Sequence, residues 1–222
     1  MISVAIDGPA GAGKSTVAKA LAKKIGYVYV DTGALYRTVA LSIINTKTNA
    51  DDVSAVEELL KNITVDIKYV NGEQRVLLCG EDVSDKIRTP EISMMASKSS
   101  AIPCVRAFLL ETQRSIARNN NVIMDGRDIA TVVLPNAQVK IFLTADPEER
   151  AKRRYIELTE KGEKVNFDDV LKDIIERDYN DSHREIAPLK PSEESVVFNN
   201  TGYSIDESIA GLEKIIFEKA NV

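Results

Sequence analysis

The chain has 222 residues, 44% hydrophobic and 28% charged, with a formal net charge of -5. That is enough apolar material for the core of one α/β domain, and the acidic balance argues against a broad footprint for duplex nucleic acid. No apolar run approaches the ~20 residues of a membrane span. Residues 2–6 form a short run, apolar apart from Ser3, that ends at Asp7-Gly8, which predicts a buried strand. Gly8–Gly13 is a turn-rich loop, and Thr16–Lys24 is amphipathic, with Val17, Leu21 and Ile25 at helical spacing. Residues 27–30 read as a second strand, residues 33–44 as a helix, and Asp51 or Asp52 as the cap of a helix running to Leu60.

The texture then changes. Residues 63–69 and 74–79 alternate apolar and polar around Asn71-Gly72, the signature of a hairpin. An antiparallel ribbon inside a strand–helix pattern predicts an insertion over about residues 62–89. Thr89-Pro90-Glu91 opens one helix and Pro103 another, running to Arg118. Strands are expected at 122–124, 139–144 and 195–198, and helices at 146–161, 167–180 and 205–219. Alternation of this kind implies a parallel sheet with helices on both faces, in a single domain over 1–222. Cys79 and Cys104 lack metal or redox spacing. With them, the short apolar start without a basic flank leads to the expectation of a cytoplasmic protein.

Gly8-Pro9-Ala10-Gly11-Ala12-Gly13-Lys14-Ser15 fits G-x-x-x-x-G-K-[ST] in full, after a strand and before a helix. Such a loop turns successive N–H groups toward an anion, and the helix that follows adds its positive end. Lys14 is then expected on the β- and γ-phosphates of ATP, and the Ser15 hydroxyl on Mg²⁺, with Thr16 adjoining. The motif does not by itself separate a kinase from a GTPase or a motor. The absence of an N-K-x-D element, the run Asp125-Gly126-Arg127-Asp128, and Arg150, Arg153 and Arg154 on one helix face favour a small-molecule kinase. The alternative for the last three is a solvated face paired with Glu148, Glu149 and Glu157.

Asp31-Thr32-Gly33-Ala34-Leu35-Tyr36-Arg37, Gly126-Arg127-Asp128, Val139–Leu143, Gly80–Ser84 with Ile87-Arg88-Thr89, and Arg177 with Asp178, Asp181, Arg184 and Ala187-Pro188-Leu189 resemble the bacterial cytidylate kinases over residues 6–199. The resemblance implies a P-loop kinase fold with an inserted monophosphate-binding subdomain and a helical lid over about residues 146–180. It also implies transfer from ATP, with Mg²⁺, to CMP or dCMP. By the same resemblance Ser97, Arg106 and Asp128 read cytosine, while Arg37, Arg127 and Arg184 hold the acceptor phosphate. Tyr36 lines that pocket, Thr32 fits a substrate-binding position where the family uses a small hydroxyl residue, and Arg177 and Asp181 meet the sugar hydroxyls. Lys14, Arg127, Arg150 and Arg184 form the catalytic set, Arg154 joins the ATP site, and Asp31 supports the metal. Asp125 is a second candidate for the metal. The chemistry is coherent, since cytosine offers an N4 donor to a carboxylate or hydroxyl and two acceptors to a guanidinium. Each assignment has a plainer alternative: Asp128 as a helix cap, Arg177 with Asp181 as an i,i+4 pair, Tyr36 as core. The expected state is a monomer, and His183 is expected to be a solvated surface residue. Rival readings are a kinase for UMP or another small acceptor such as shikimate, and a nucleotide-binding switch protein.

Overall fold

The computed structural model describes residues 1–220. It divides into two compact units, one formed by residues 1–29 with 120–222 and the other by residues 30–119.

The first unit is built on β1 (Ser3–Asp7), β6 (Val122–Gly126), β7 (Val139–Thr144) and β8 (Val196–Asn199), with β2 (Val28–Asp31) entering at its first residues. The sheet order is β2-β6-β1-β7-β8. β1 pairs in parallel with β6 and β7, and β7 pairs in parallel with β8. β1 is therefore central, which explains its apolar middle: Val4, Ala5 and Ile6 are fully buried. α1 (Lys14–Ile25) packs Val17, Leu21 and Ala22 into a core shared with Ile123, Ile141 and Leu143, and with Leu212 and Ile216 of α8 (Ile205–Ala220). Each large aliphatic side chain buried this way contributes about 1.5–3 kcal/mol. α6 (Pro147–Glu160) and α7 (Phe167–His183) form a smaller cluster around Ala151, Leu158, Val170 and Ile174. Ligand loops of parallel sheets lie beyond the carboxyl ends of the strands, where strand order reverses. Here the glycine loop leaves the central strand β1.

The second unit holds α2 (Thr32–Asn45), α3 (Val53–Lys61), α4 (Pro90–Ser99) and α5 (Pro103–Asn119) around a core that includes Leu35, Val39, Ile43, Val56, Val105 and Leu109. β3 (Val65–Val70) and β4 (Glu73–Leu78) form the expected hairpin, with Val70 opposite Glu73. Asn71 and Gly72 have φ of 53° and 79°, the two left-handed residues that a type I′ turn requires. A short β5 (Glu81–Asp82) adds a third strand. The ribbon thus lies inside a larger unit whose helices begin at Thr32. The expected caps are in place: Asp52 accepts from the Ala55 N–H and Thr89 from the Ile92 N–H. One element was not expected, a π-helix at Ile129–Val133 directly after Asp128.

Gly8 is closely enclosed. Its φ is 151°, and a Cβ there would lie 1.9 Å from the Leu143 carbonyl oxygen, a backbone atom that cannot swing aside. Gly8→Ala is expected to abolish soluble expression or lower the melting temperature by roughly 10 °C or more. Gly26→Ala is the control: φ is 73° and nothing lies within 4 Å. It should cost about 1–2 kcal/mol and a few degrees. Equal melting temperatures for the two variants would contradict this packing.

Candidate active site

The glycine loop joins β1 to α1 and is braced through its carbonyl groups. The buried Lys14 Nζ donates to Pro9 O at 2.7 Å. Arg150 Nη1 donates to Ala10 O at 3.0 Å, and Arg153 Nη1 and Asn200 Nδ2 donate to Ala12 O at 3.4 and 3.2 Å. α1 starts from Gly13, whose φ is 85°, and no side chain caps it. Its first N–H groups are the donors a phosphate would meet, at the positive end of the helix. The Ser15 hydroxyl donates to Asp125 Oδ2 at 2.8 Å, at the end of β6, and the Tyr29 hydroxyl donates to Asp125 Oδ1 at 2.9 Å.

Around Lys14 the first unit gathers cations. Burial pulls the Lys14 pKa well below the ordinary lysine value, and the nearby Arg127 and Arg177 lower it further, against Asp125 and Asp7. Arg127 Nε donates to Asp181 Oδ2 at 2.9 Å. Burial works to raise the Asp181 pKa, but Arg127, Arg177 and Arg184 together hold it below the ordinary carboxylate value. Arg184 Nε donates to Ala187 O at 2.5 Å. Lys14, Asp125, Arg127, Arg177, Asp181 and Arg184 are thus brought into one electrostatic neighbourhood. Asp128, 4% exposed, lies at the head of the π-helix but its side chain does not cap it.

The charged helix is sorted by its partners. Arg150, 3% exposed, donates to Ala145 O and makes a two-pronged contact with Asp178 at 3.1 and 2.5 Å. Arg153 faces the loop and also donates to Asn200 Oδ1 and O at 3.2 and 3.0 Å. Arg154, the residue expected at ATP, pairs with Glu157 at 2.8 Å near the surface. His183 is exposed and stacks on Tyr179 with centroids 4.1 Å apart.

In the second unit, Asp31 caps α2 through the Ala34 N–H at 2.9 Å and receives Arg37 Nη2 at 2.8 Å. Both oxygens expected to support a metal are therefore engaged with protein groups. Thr32 is buried and Tyr36 half-buried. Arg106 stands 5.6 Å from the Tyr36 ring centroid and donates to Ser100 O at 3.0 Å. Ser97 is half-buried, and its carbonyl accepts from the Ser100 hydroxyl. Gln74 went unnoticed in the sequence. Its Oε1 accepts from Asp31 N at 2.8 Å and its Nε2 donates to Asp31 O at 3.1 Å, which ties β4 to the residue that holds Arg37. Nothing in the sequence around Gln74 signals this, and the same is true of Tyr29 and Asn200.

The Asp181 arrangement has a pH signature. Its folded pKa is depressed, so its stabilising contribution is present above the unfolded value of 3.8 and is lost as pH falls through the folded value. Asp181→Asn should lower the melting temperature at pH 7 by several degrees, and the gap to wild type should narrow below about pH 4. A gap that stays constant from pH 7 to pH 3 would show that the carboxylate charge does not carry the effect.

A family model described as cytidylate kinase matches residues 4–218. The chain is 49% identical to the cytidylate kinase of Caldicellulosiruptor saccharolyticus, over 98% of this chain and 96% of the relative. It is 48% identical to that of Lactobacillus johnsonii, over 99% and 95%, and 47% identical to cytidylate kinase 1 of Haemophilus influenzae, over 93% and 89%. A solved structure of an uncharacterized protein from Eubacterium ventriosum aligns over 97% of this chain and 98% of that one, with a TM-score of 0.51 and 13% identity, a likeness of fold alone. With matches this long and this similar in sequence, the chain belongs to the cytidylate kinase family.

Proposed function

We propose that this chain transfers the γ-phosphoryl group of ATP to CMP or dCMP, giving ADP and CDP or dCDP. Family membership supports ATP-dependent phosphorylation of CMP. The observation that carries the chemistry is Lys14, buried among Arg127 and Arg177 on a glycine loop at a helix start. Such a cluster is costly unless anions join it.

In the proposed mechanism the Gly8–Ser15 loop takes the triphosphate, with Lys14 on the β- and γ-phosphates. Arg127 and Arg184, together with Arg37, take the acceptor phosphate. Ser97, Arg106 and Asp128 read the cytosine edge, and a pyrimidine with reversed polarity at N3 and C4 would leave them unpaired. Arg177 and Asp181 are assigned to the sugar, and Tyr36 and Thr32 to the pocket wall. Bound Mg²⁺ would supply charge neutralisation at the phosphates. The Ser15 hydroxyl and the Asp125 carboxylate, hard oxygen donors 2.8 Å apart, fit that ion. Asp31 is assigned to positioning Arg37, whose guanidinium it receives at 2.8 Å. Arg150 follows the migrating phosphoryl group, which requires it to exchange Asp178 for phosphate oxygens. No general base is needed, since a phosphate oxygen is already anionic at neutral pH. Catalysis is alignment and charge neutralisation, with water excluded.

ADP release with ATP and Mg²⁺ should be fast with CMP and dCMP, weak with UMP and AMP, and negligible without acceptor. Lys14→Ala should lower kcat by roughly 10²-fold or more, and Asp128→Ala should raise the KM for CMP and erode its preference over UMP. Rapid turnover with UMP or AMP would keep a kinase and overturn the cytosine site. ATP binding with no acceptor-dependent turnover would sink the reading altogether.

A further inference from the structure

The last residue of β1, Asp7, lies outside every role assigned so far. It is 2% exposed, and its two carboxylate oxygens are spent on a segment more than 120 positions away. Oδ1 accepts from the Ile129 N–H and Oδ2 from the Ala130 N–H, both at 2.8 Å. These are the first two N–H groups of the π-helix Ile129–Val133. An aspartate preceding a helix usually caps it with its own side chain. Asp128 occupies that place, yet its side chain makes no cap, and its carbonyl closes the helix by accepting from Val132 and Val133 at 2.8 and 3.2 Å. The capping is done from the neighbouring strand, so the Asp128 carboxylate is not consumed by the helix start.

The location adds weight. Asp7 sits opposite Gly126 in the β1–β6 register and directly precedes Gly8, the first residue of the glycine loop. One side chain therefore joins the loop that meets the donor to the segment bearing Arg127 and Asp128. The arrangement is expensive. Burial pushes the Asp7 carboxyl up to about 7, and the charge of Asp128 adds to this, while the two N–H bonds and Lys14 work against it. An apolar residue would end a buried strand at no such cost. Single-turn π elements are also rare and frequently found at functional sites.

We propose that Asp7 is a positioning residue for the acceptor side of the reaction: its carboxylate, gripping the Ile129 and Ala130 N–H groups, sets where Arg127 and Asp128 stand and so sets the preference for cytosine. The inference rests on the reading of Arg127 and Asp128 as acceptor-binding residues.

Asp7→Asn keeps the size of the side chain but replaces one acceptor with an NH₂ group facing an N–H. The variant should raise the KM for CMP by about tenfold or more and reduce the CMP-over-UMP ratio of kcat/KM, while the KM for ATP stays within about twofold. A structural role alone would raise both KM values together or change neither, and either result overturns the proposal. Should Asp7→Asn fail to fold, Asp7→Glu, which retains two oxygens on a longer arm, is expected to show the same split in weaker form. Equal KM changes for CMP and ATP in Asp7→Glu would likewise overturn the proposal.

Amide NMR separates the two layers of the argument. The Ile129 and Ala130 N–H resonances should be protected from exchange in wild type and lose protection in Asp7→Asn. Unprotected amides in wild type would remove the grip itself. Protected amides and a KM split, together with unchanged cytosine preference in Asp128→Ala, would leave Asp7 as a positioning residue and move the base contact elsewhere.

Discussion

A lysine buried beside two arginines is the constraint on which the first unit depends. Like charges in a low-dielectric setting repel strongly, and Lys14 has also lost its water. The protein sets Asp125, Asp7 and Asp181 against them, and those carboxylates have other work. Asp125 receives Ser15 and Tyr29, Asp7 receives two backbone N–H groups, and Asp181 receives Arg127. The fold thus holds positive charge in place in advance of the phosphates. Preorganisation of this kind moves the cost of ordering from the moment of reaction to the act of folding.

The same logic explains why the glycine loop is held by its carbonyls. Arg150, Arg153, Asn200 and Lys14 each occupy a carbonyl group of the loop or of its first residues. Once these groups are satisfied, the loop has little reason to rearrange, and the N–H groups at the start of α1 keep one direction. Asn200 also donates to the Ser208 hydroxyl at 3.3 Å, which connects the loop to α8. Support of this kind from several elements is what a site carried on a loop needs to hold its geometry.

The parts legible in the sequence are those whose cause is local. The glycine loop, the Asn71-Gly72 hairpin, the Asp52 and Thr89 caps and the apolar β1 each follow from a few adjacent residues, and each has the expected form. Residues whose role depends on distant partners stayed hidden. Asp7 finds its partners at 129 and 130, Tyr29 at 125, and Asn200 at 12. Gln74 reaches Asp31 from the ribbon, and nothing among its neighbours in the strand distinguishes that amide from a solvated one. Arg153 and Arg154 show the limit of helical periodicity. Both share a broad face with Arg150, and only the position of the loop decides that Arg153 turns inward while Arg154 meets Glu157. The first N–H groups of the π-helix are met by Asp7 from β1, a long-range pairing without a local signature.

The most direct test of the account is to follow the phosphoryl group itself by ³¹P NMR in a mixture of the protein, Mg²⁺, ATP and CMP. The account predicts that the γ-phosphate signal of ATP disappears at the same rate as the β-phosphate signal of CDP appears, with no inorganic phosphate building up. Inorganic phosphate accumulating in place of CDP, or a γ-phosphate signal that persists, would contradict it.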